Sequence, residues 1–206
     1  MKVGPEYWDS AEQQKFDARA GRILLLARVC ARQIARATFG YETYTDIRVG
    51  RNSELVEIPK IKTLDENGNP LSMVATFFRE KGLDELEQLS LITDGTMSLI
   101  GSRHLLESDV DTIHIVAQRT NRGRSLLAEY NEIVTPNKRG LLSSFAFHAH
   151  MLGDDSVEAR LALDIHDYQN MSTRYNLKLL RKGSRALALN ELQYGSHPVT
   201  DNNERI

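Results

Sequence analysis

The chain has 206 residues, 41% hydrophobic and 26% charged, with 26 basic and 28 acidic side chains and a formal net charge of −2. That composition excludes a disordered tail, a collagen-like array and a disulfide scaffold, and the length suffices to bury one substantial core. The near-balance of charge argues against a nucleic-acid partner, and the single cysteine, Cys30, rules out an intrachain disulfide and points to a reducing, cytoplasmic setting.

The first 21 residues hold no apolar core of the kind a secretory signal needs. Tyr7 and Trp8 read as packing residues ahead of the alternative, anchors at a membrane interface. Residues 11–37 then read as one long helix, with Ser10 as its N-cap and Gly40 as its stop. At 100° per residue, Ile23, Leu24, Ala27, Cys30, Ala31 and Ile34 share one arc, which predicts a buried, inert Cys30. Arg28, Arg32 and Arg36, with Arg22 beside them, share another. In a bilayer centre Arg28 and Arg32 would cost about 2.5–3.5 kcal/mol each, against a return of about 0.3–0.6 kcal/mol per apolar residue, so the helix is not expected to span. Two readings remain: packing on its own domain with a solvated basic face, or lying on an anionic membrane through Arg22, Arg28, Arg32 and Arg36.

Residues 54–62 alternate as a strand does, and Pro59 assigns that strand to an edge. Residues 65–70 (DENGNP) form a turn signal. A helix is predicted from Leu83 to Thr93, with Leu83, Leu86 and Leu89 spaced by three and Gly95 as the break. Further helices are predicted over 107–131, 154–171 and 174–191, with Pro136 and Gly140 marking a loop and a polar tail from Gly195. His148 and His150, with His166 and Asp167, are a candidate metal set that lacks a third ligand at compelling spacing. Arg174, Lys178, Arg181, Lys182 and Arg185 form a basic cluster, read first as a solvated helix face and second as a membrane or phosphate patch.

Asp84 and Glu85 are adjacent acids at a predicted helix start, flanked by Arg79 and Arg103. Alone, such a pair complements the helix dipole. Three ordered segments give it another meaning: Arg48 to Leu64 (RVGRNSELVEIPKIKTL), Arg79 to Leu89 (REKGLDELEQL) and Gly95 to His104 (GTMSLIGSRH). Together they resemble the bacterial sugar transferase family, the monotopic phosphoglycosyl transferases that prime glycan assembly on a polyprenol carrier. Lys15-Phe16-Asp17, residues 134–142 (VTPNKRGLL) and residues 164–180 (DIHDYQNMSTRYNLKLL) extend the resemblance over most of residues 15–182.

The resemblance implies an α+β fold: a mostly helical single domain with a small sheet near residues 45–65 and a long N-terminal amphipathic helix. The element pattern agrees, dividing the chain into residues 1–40, a catalytic domain over 41–194 and a tail over 195–206. It also implies a phosphosugar transfer from a UDP-sugar to polyprenol phosphate, in glycan or exopolysaccharide synthesis. Asp84 would be the nucleophile, Asp84 and Glu85 would hold Mg²⁺, and Arg79, Arg103 and Lys60 would bind phosphate. The setting would be the cytoplasm or, peripherally, the inner membrane face. Carboxylates form covalent intermediates, Mg²⁺ takes one or two carboxylates plus phosphate oxygens, and guanidinium groups present paired donors to phosphate.

The departures are specific. Where the family has an apolar anchor with a Ser-Pro break, this chain has Arg19, Arg22, Arg28, Arg32 and Arg36 and no proline. Thr96 replaces the acid of G-D-M-S, Ser102 and His104 replace both prolines of G-P-R-P, Glu87 replaces the proline of D-E-L-P-Q-L, and Gly82 replaces a serine. They sustain a second expectation, a non-catalytic homologue serving as a binding or assembly partner in a polysaccharide pathway.

Overall fold

The computed structural model describes residues 2–145 and 156–188, and the side chains to residue 182. His148, His150, the Arg185 side chain and the polar tail lie outside these. The described residues form a mostly helical α+β arrangement of seven α-helices and two small two-stranded sheets, as the resemblance implied.

Helix α1 (Ala11–Thr38) begins where the Ser10 hydroxyl accepts the Gln13 amide at 3.2 Å. Strands β1 (Thr43–Val49) and β2 (Leu55–Ile61) form an antiparallel hairpin, pairing Thr43 with Ile61 and Val49 with Leu55. Pro59 is tolerated because a two-stranded sheet consists of edges. Helix α2 (Met73–Glu80) is capped by Ser72. Gly82 then takes a left-handed φ of 65° and leads into a 3-10 helix, Leu83–Gln88, followed by the short helix α3 (Leu89–Thr93). The single helix predicted over 83–93 is therefore two elements. The three-residue leucine spacing is the 3-10 period, in which side chains at i and i+3 eclipse.

Strand β3 (Ser98–Ile100) pairs in parallel with β4 (Gly140–Leu142). A side chain on Gly140 would meet the Gly101 backbone nitrogen at 2.1 Å, so this crossing requires glycine. Between these strands the helix expected over 107–131 is broken into α4 (Glu107–Ala117) and α5 (Asn121–Ile133). Thr120 caps the second helix by accepting the Gly123 amide at 2.8 Å, and Gly123 lets the chain fold back within contact of Ala117. Helices α6 (Val157–Asn170) and α7 (Thr173–Ala188) complete the described chain.

The main core joins Leu89, Ile92, Met97, Leu99 and Ile100 to Leu161, Ile165 and Tyr168 of α6 and to Met171 just after it. Tyr7 is buried, and Trp8 stacks on Tyr168 at 4.1 Å while its indole N–H donates to the Tyr168 carbonyl, so both leader aromatics are packing residues.

Helix α1 docks on a face rotated away from its predicted apolar arc, of which Leu24 and Ala31 pack inward and the rest does not. Ile23 is 73% exposed, Leu26 74% and Ile34 46%, and Cys30 is exposed as well. The inward side carries Gln13, Asp17, Gly21, Ala31 and Ala35, with Arg28 and Arg32 half-buried. Polar partners in the domain select this face. Asp17 accepts the Leu99 amide at 3.0 Å and the Ser98 hydroxyl, Gln13 donates to Ser98, and Arg28 and Arg32 converge on Glu87. Among the described residues no helix is long and apolar enough to cross a membrane.

Candidate active site

Alternation along β1 puts Tyr44, Asp46 and Arg48 on one face, and pairing sets Lys60 of β2 opposite Tyr44. The Arg48 Nε donates to Asp46 Oδ2 at 2.9 Å. Lys60 is buried, with Nζ 3.6 Å from Asp46 Oδ2 and 3.3 Å from Glu85 Oε1. Arg103, just beyond β3, donates through Nη2 to the same Glu85 oxygen. One carboxylate is thus held by a cation from the hairpin and another from the β3 segment, while the 3-10 helix presents Asp84 beside it. Of the residues singled out in the sequence, Lys60, Asp84, Glu85 and Arg103 come together; Arg79 acts on Asp84 through its charge.

Asp84 and Glu85 are equally buried, each 6% exposed, yet they titrate in opposite directions. Burial, then the neighbouring Glu85 charge, pushes the Asp84 carboxyl up to about 7. Burial also lifts Glu85, but Arg103 and Lys60 outweigh it and hold that carboxyl below its ordinary range. Paired titratable groups driven apart in this way suit different chemical roles. Glu85 is a permanent anion that organises cations, and Asp84 changes charge near neutrality.

The sequence reading assigned no role to Asp46, Arg48, Tyr44 or His104. The period-two spacing of Tyr44, Asp46 and Arg48 was the available signal for the first three. His104 stands where the family has proline, is buried, and titrates at about 3 because of its burial and the charges of Arg139, Arg48 and Arg103, so it is neutral.

The histidine set gains no support from the described part. His166 is exposed, and the buried Asp167 is committed to the Ser144 hydroxyl at 2.7 Å and the Tyr175 hydroxyl at 2.6 Å. Among the described residues no group of three or more His, Cys, Asp or Glu could hold a metal by itself. Arg174, Lys178, Arg181 and Lys182 are exposed along α7.

Comparison with known proteins places the chain in a family. The family model described as bacterial sugar transferase matches residues 20–189, which include every residue of the Lys60–Asp84–Glu85–Arg103 cluster. The exopolysaccharide production protein ExoY of Sinorhizobium fredii (strain NBRC 101917 / NGR234) is 26% identical, over 73% of this chain and 72% of its own length. With that match spanning both the hairpin and the paired acids, the chain belongs to the bacterial sugar transferase family.

Proposed function

We propose that this sugar transferase moves a phosphosugar from a UDP-sugar to a polyprenol phosphate through an aspartyl-phosphosugar intermediate, in exopolysaccharide synthesis. The observation that carries the reading is the juxtaposition of Asp84 with a Glu85 already held by Lys60 and Arg103.

The ionised Asp84 carboxylate attacks the sugar-bearing phosphorus. The bond from that phosphorus to the bridging oxygen breaks, UMP leaves with the electron pair, and an acyl phosphate to the sugar forms. A phosphate oxygen of the acceptor then attacks the same phosphorus, the acyl-phosphate bond breaks, and Asp84 returns as carboxylate. Lys60, Arg103 and Arg48 supply fixed positive charge where the phosphates lie, so little reorganisation accompanies charge transfer. Arg79 lowers the cost of ionising Asp84.

Two adjacent buried carboxylates next to phosphate-binding cations are a donor set of the kind Mg²⁺ takes, since that ion accepts one or two carboxylates and completes its shell with phosphate oxygens and water. Asp84, whose burial is incompletely compensated, and Glu85 would hold it, and when bound it would neutralise charge on the diphosphate. Arg28 and Arg32 are engaged by Glu87, so the surface that would meet an anionic membrane is Arg22, Arg36, which also lies over the Tyr41 ring, and the exposed apolar stripe of α1.

The test incubates the protein with a panel of UDP-sugars and Mg²⁺, following UMP release and the intact mass. A phosphosugar adduct on wild-type protein that is absent from Asp84→Asn is the expected result. A protein silent toward every UDP-sugar favours the second reading, a non-catalytic partner, for which Thr96 in place of the acid of G-D-M-S and the arginine-bearing N-terminal helix are the supporting observations.

A further inference from the structure

The 3-10 helix that presents Asp84 and Glu85 carries a third acid, Glu87, which is 2% exposed. Its carboxylate accepts from Arg28 Nε at 3.0 Å and Nη2 at 2.7 Å, from Arg32 Nε at 2.7 Å, and from the Tyr41 hydroxyl at 3.0 Å. Arg28 and Arg32 are one turn apart on α1, so both forks reach one acid from the same helix face. We propose that Glu87 is a positioning residue for the transfer: held by Arg28 and Arg32, it fixes the turn that presents Asp84. The inference rests on the functional reading above.

The turn needs such a tie. Asp84 and Glu85 are adjacent and buried, and when Asp84 is ionised, as the proposed attack requires, their like charges repel and favour opening. A 3-10 helix has poorer hydrogen-bond geometry than an α-helix, and Gly82 ahead of it is permissive in φ. The five-residue α3 behind it is too short to be stable alone. Both ends of the clamp depart from the family pattern together: Glu87 stands in place of proline, and the arginines stand in the segment that is elsewhere apolar.

The full-length chain would be assayed as wild type, Glu87→Gln, Glu87→Asp, Arg28→Lys and Arg32→Lys, well below each variant's melting temperature. Readouts are kcat, KM for the UDP-sugar, and amide exchange across residues 83–89. Misplacing a reacting group by about 1 Å costs on the order of 100-fold, so Glu87→Gln is expected to lower kcat about 10–100-fold with KM within about threefold. Exchange over 83–89 should rise while that of α6 stays unchanged. Glu87→Asp should recover part of kcat, and the lysine variants, which keep charge but lose the fork, should fall between. A Glu87→Gln kcat equal to wild type, or a loss confined to melting temperature, overturns the proposal. If the wild type itself releases no UMP, the transfer reading fails separately. Amide exchange then decides the clamp: acceleration over 83–89 supports it and unchanged exchange overturns it.

Discussion

At the scale of single residues, Asp84 ties stability to reactivity. Its folded pKa of about 7 lies above the ordinary 3.8, so the folded state binds that proton more tightly than the unfolded state does. Its penalty is absent below about pH 4, where both states are protonated, builds up between about pH 4 and 7, and stays constant above that. Asp84→Asn removes that penalty at neutral pH. The variant should therefore melt a few degrees higher than wild type at pH 7.5, on the order of 1–2 kcal/mol, with the gap closing below about pH 4. Loss of the helix-start charge opposes this by only about 0.3–1 kcal/mol. UMP release should fall by several orders of magnitude in the same preparation. Melting scans at two pH values beside the turnover assay check both halves.

The same group sets the pH dependence of the wild type. In the proposed transfer the nucleophile is the ionised form, so kcat/KM should rise with pH through about 7 and then level off. Added Mg²⁺, as a nearby positive charge, should shift that limb to lower pH. A flat profile between pH 5.5 and 8.5 would remove Asp84 from the rate-determining ionisation.

At the scale of elements, α1 shows where sequence patterning misleads. Its period was legible to within a residue of both ends, since Ser10 and Gly40 are local signals. Its orientation was not, because the hydrophobic arc is only one of two faces that could dock. Asp17 and Gln13 find partners on β3, and Arg28 and Arg32 find Glu87, and these polar contacts are long-range in sequence. Ala31 and Ala35 let the helix approach Ile61 and Phe78 closely. Ala35→Leu should overpack this seam and cost about 1–3 kcal/mol, whereas Leu26→Ser on the exposed side should stay within about 0.5 kcal/mol. Chemical denaturation of the two variants distinguishes this docking from one centred on the apolar arc. The site was more legible than the helix face, because Lys60, Asp84, Glu85 and Arg103 lie in ordered motifs. Asp46 and His104 escaped because their meaning depends on which strand face and which arginines they meet.

At the scale of the molecule, one side of the described chain presents Ile23, Leu26, Val29 and Ile34 with Arg22 and Arg36, and α7 presents its own row of cations. Vesicles containing phosphatidylglycerol should bind the protein at low ionic strength, and raising salt from about 50 to 500 mM should release most of it as screening shortens to a few ångströms. Equal flotation with neutral phosphatidylcholine vesicles would contradict the electrostatic contribution.

The parallel pairing of β3 with β4 also has a kinetic meaning. Ser98 cannot find Gly140 until the whole α4–α5 excursion between them has closed, whereas the β1–β2 hairpin joins neighbours in the chain. Closing the longer loop costs more entropy and comes later. Arg103 sits immediately after β3, so the cation that holds Glu85 is delivered by the late step and Lys60 by the early one. The two cations that hold Glu85 thus arrive at different times, and a chain caught before the second has the Asp84–Glu85 turn beside a single anchoring cation.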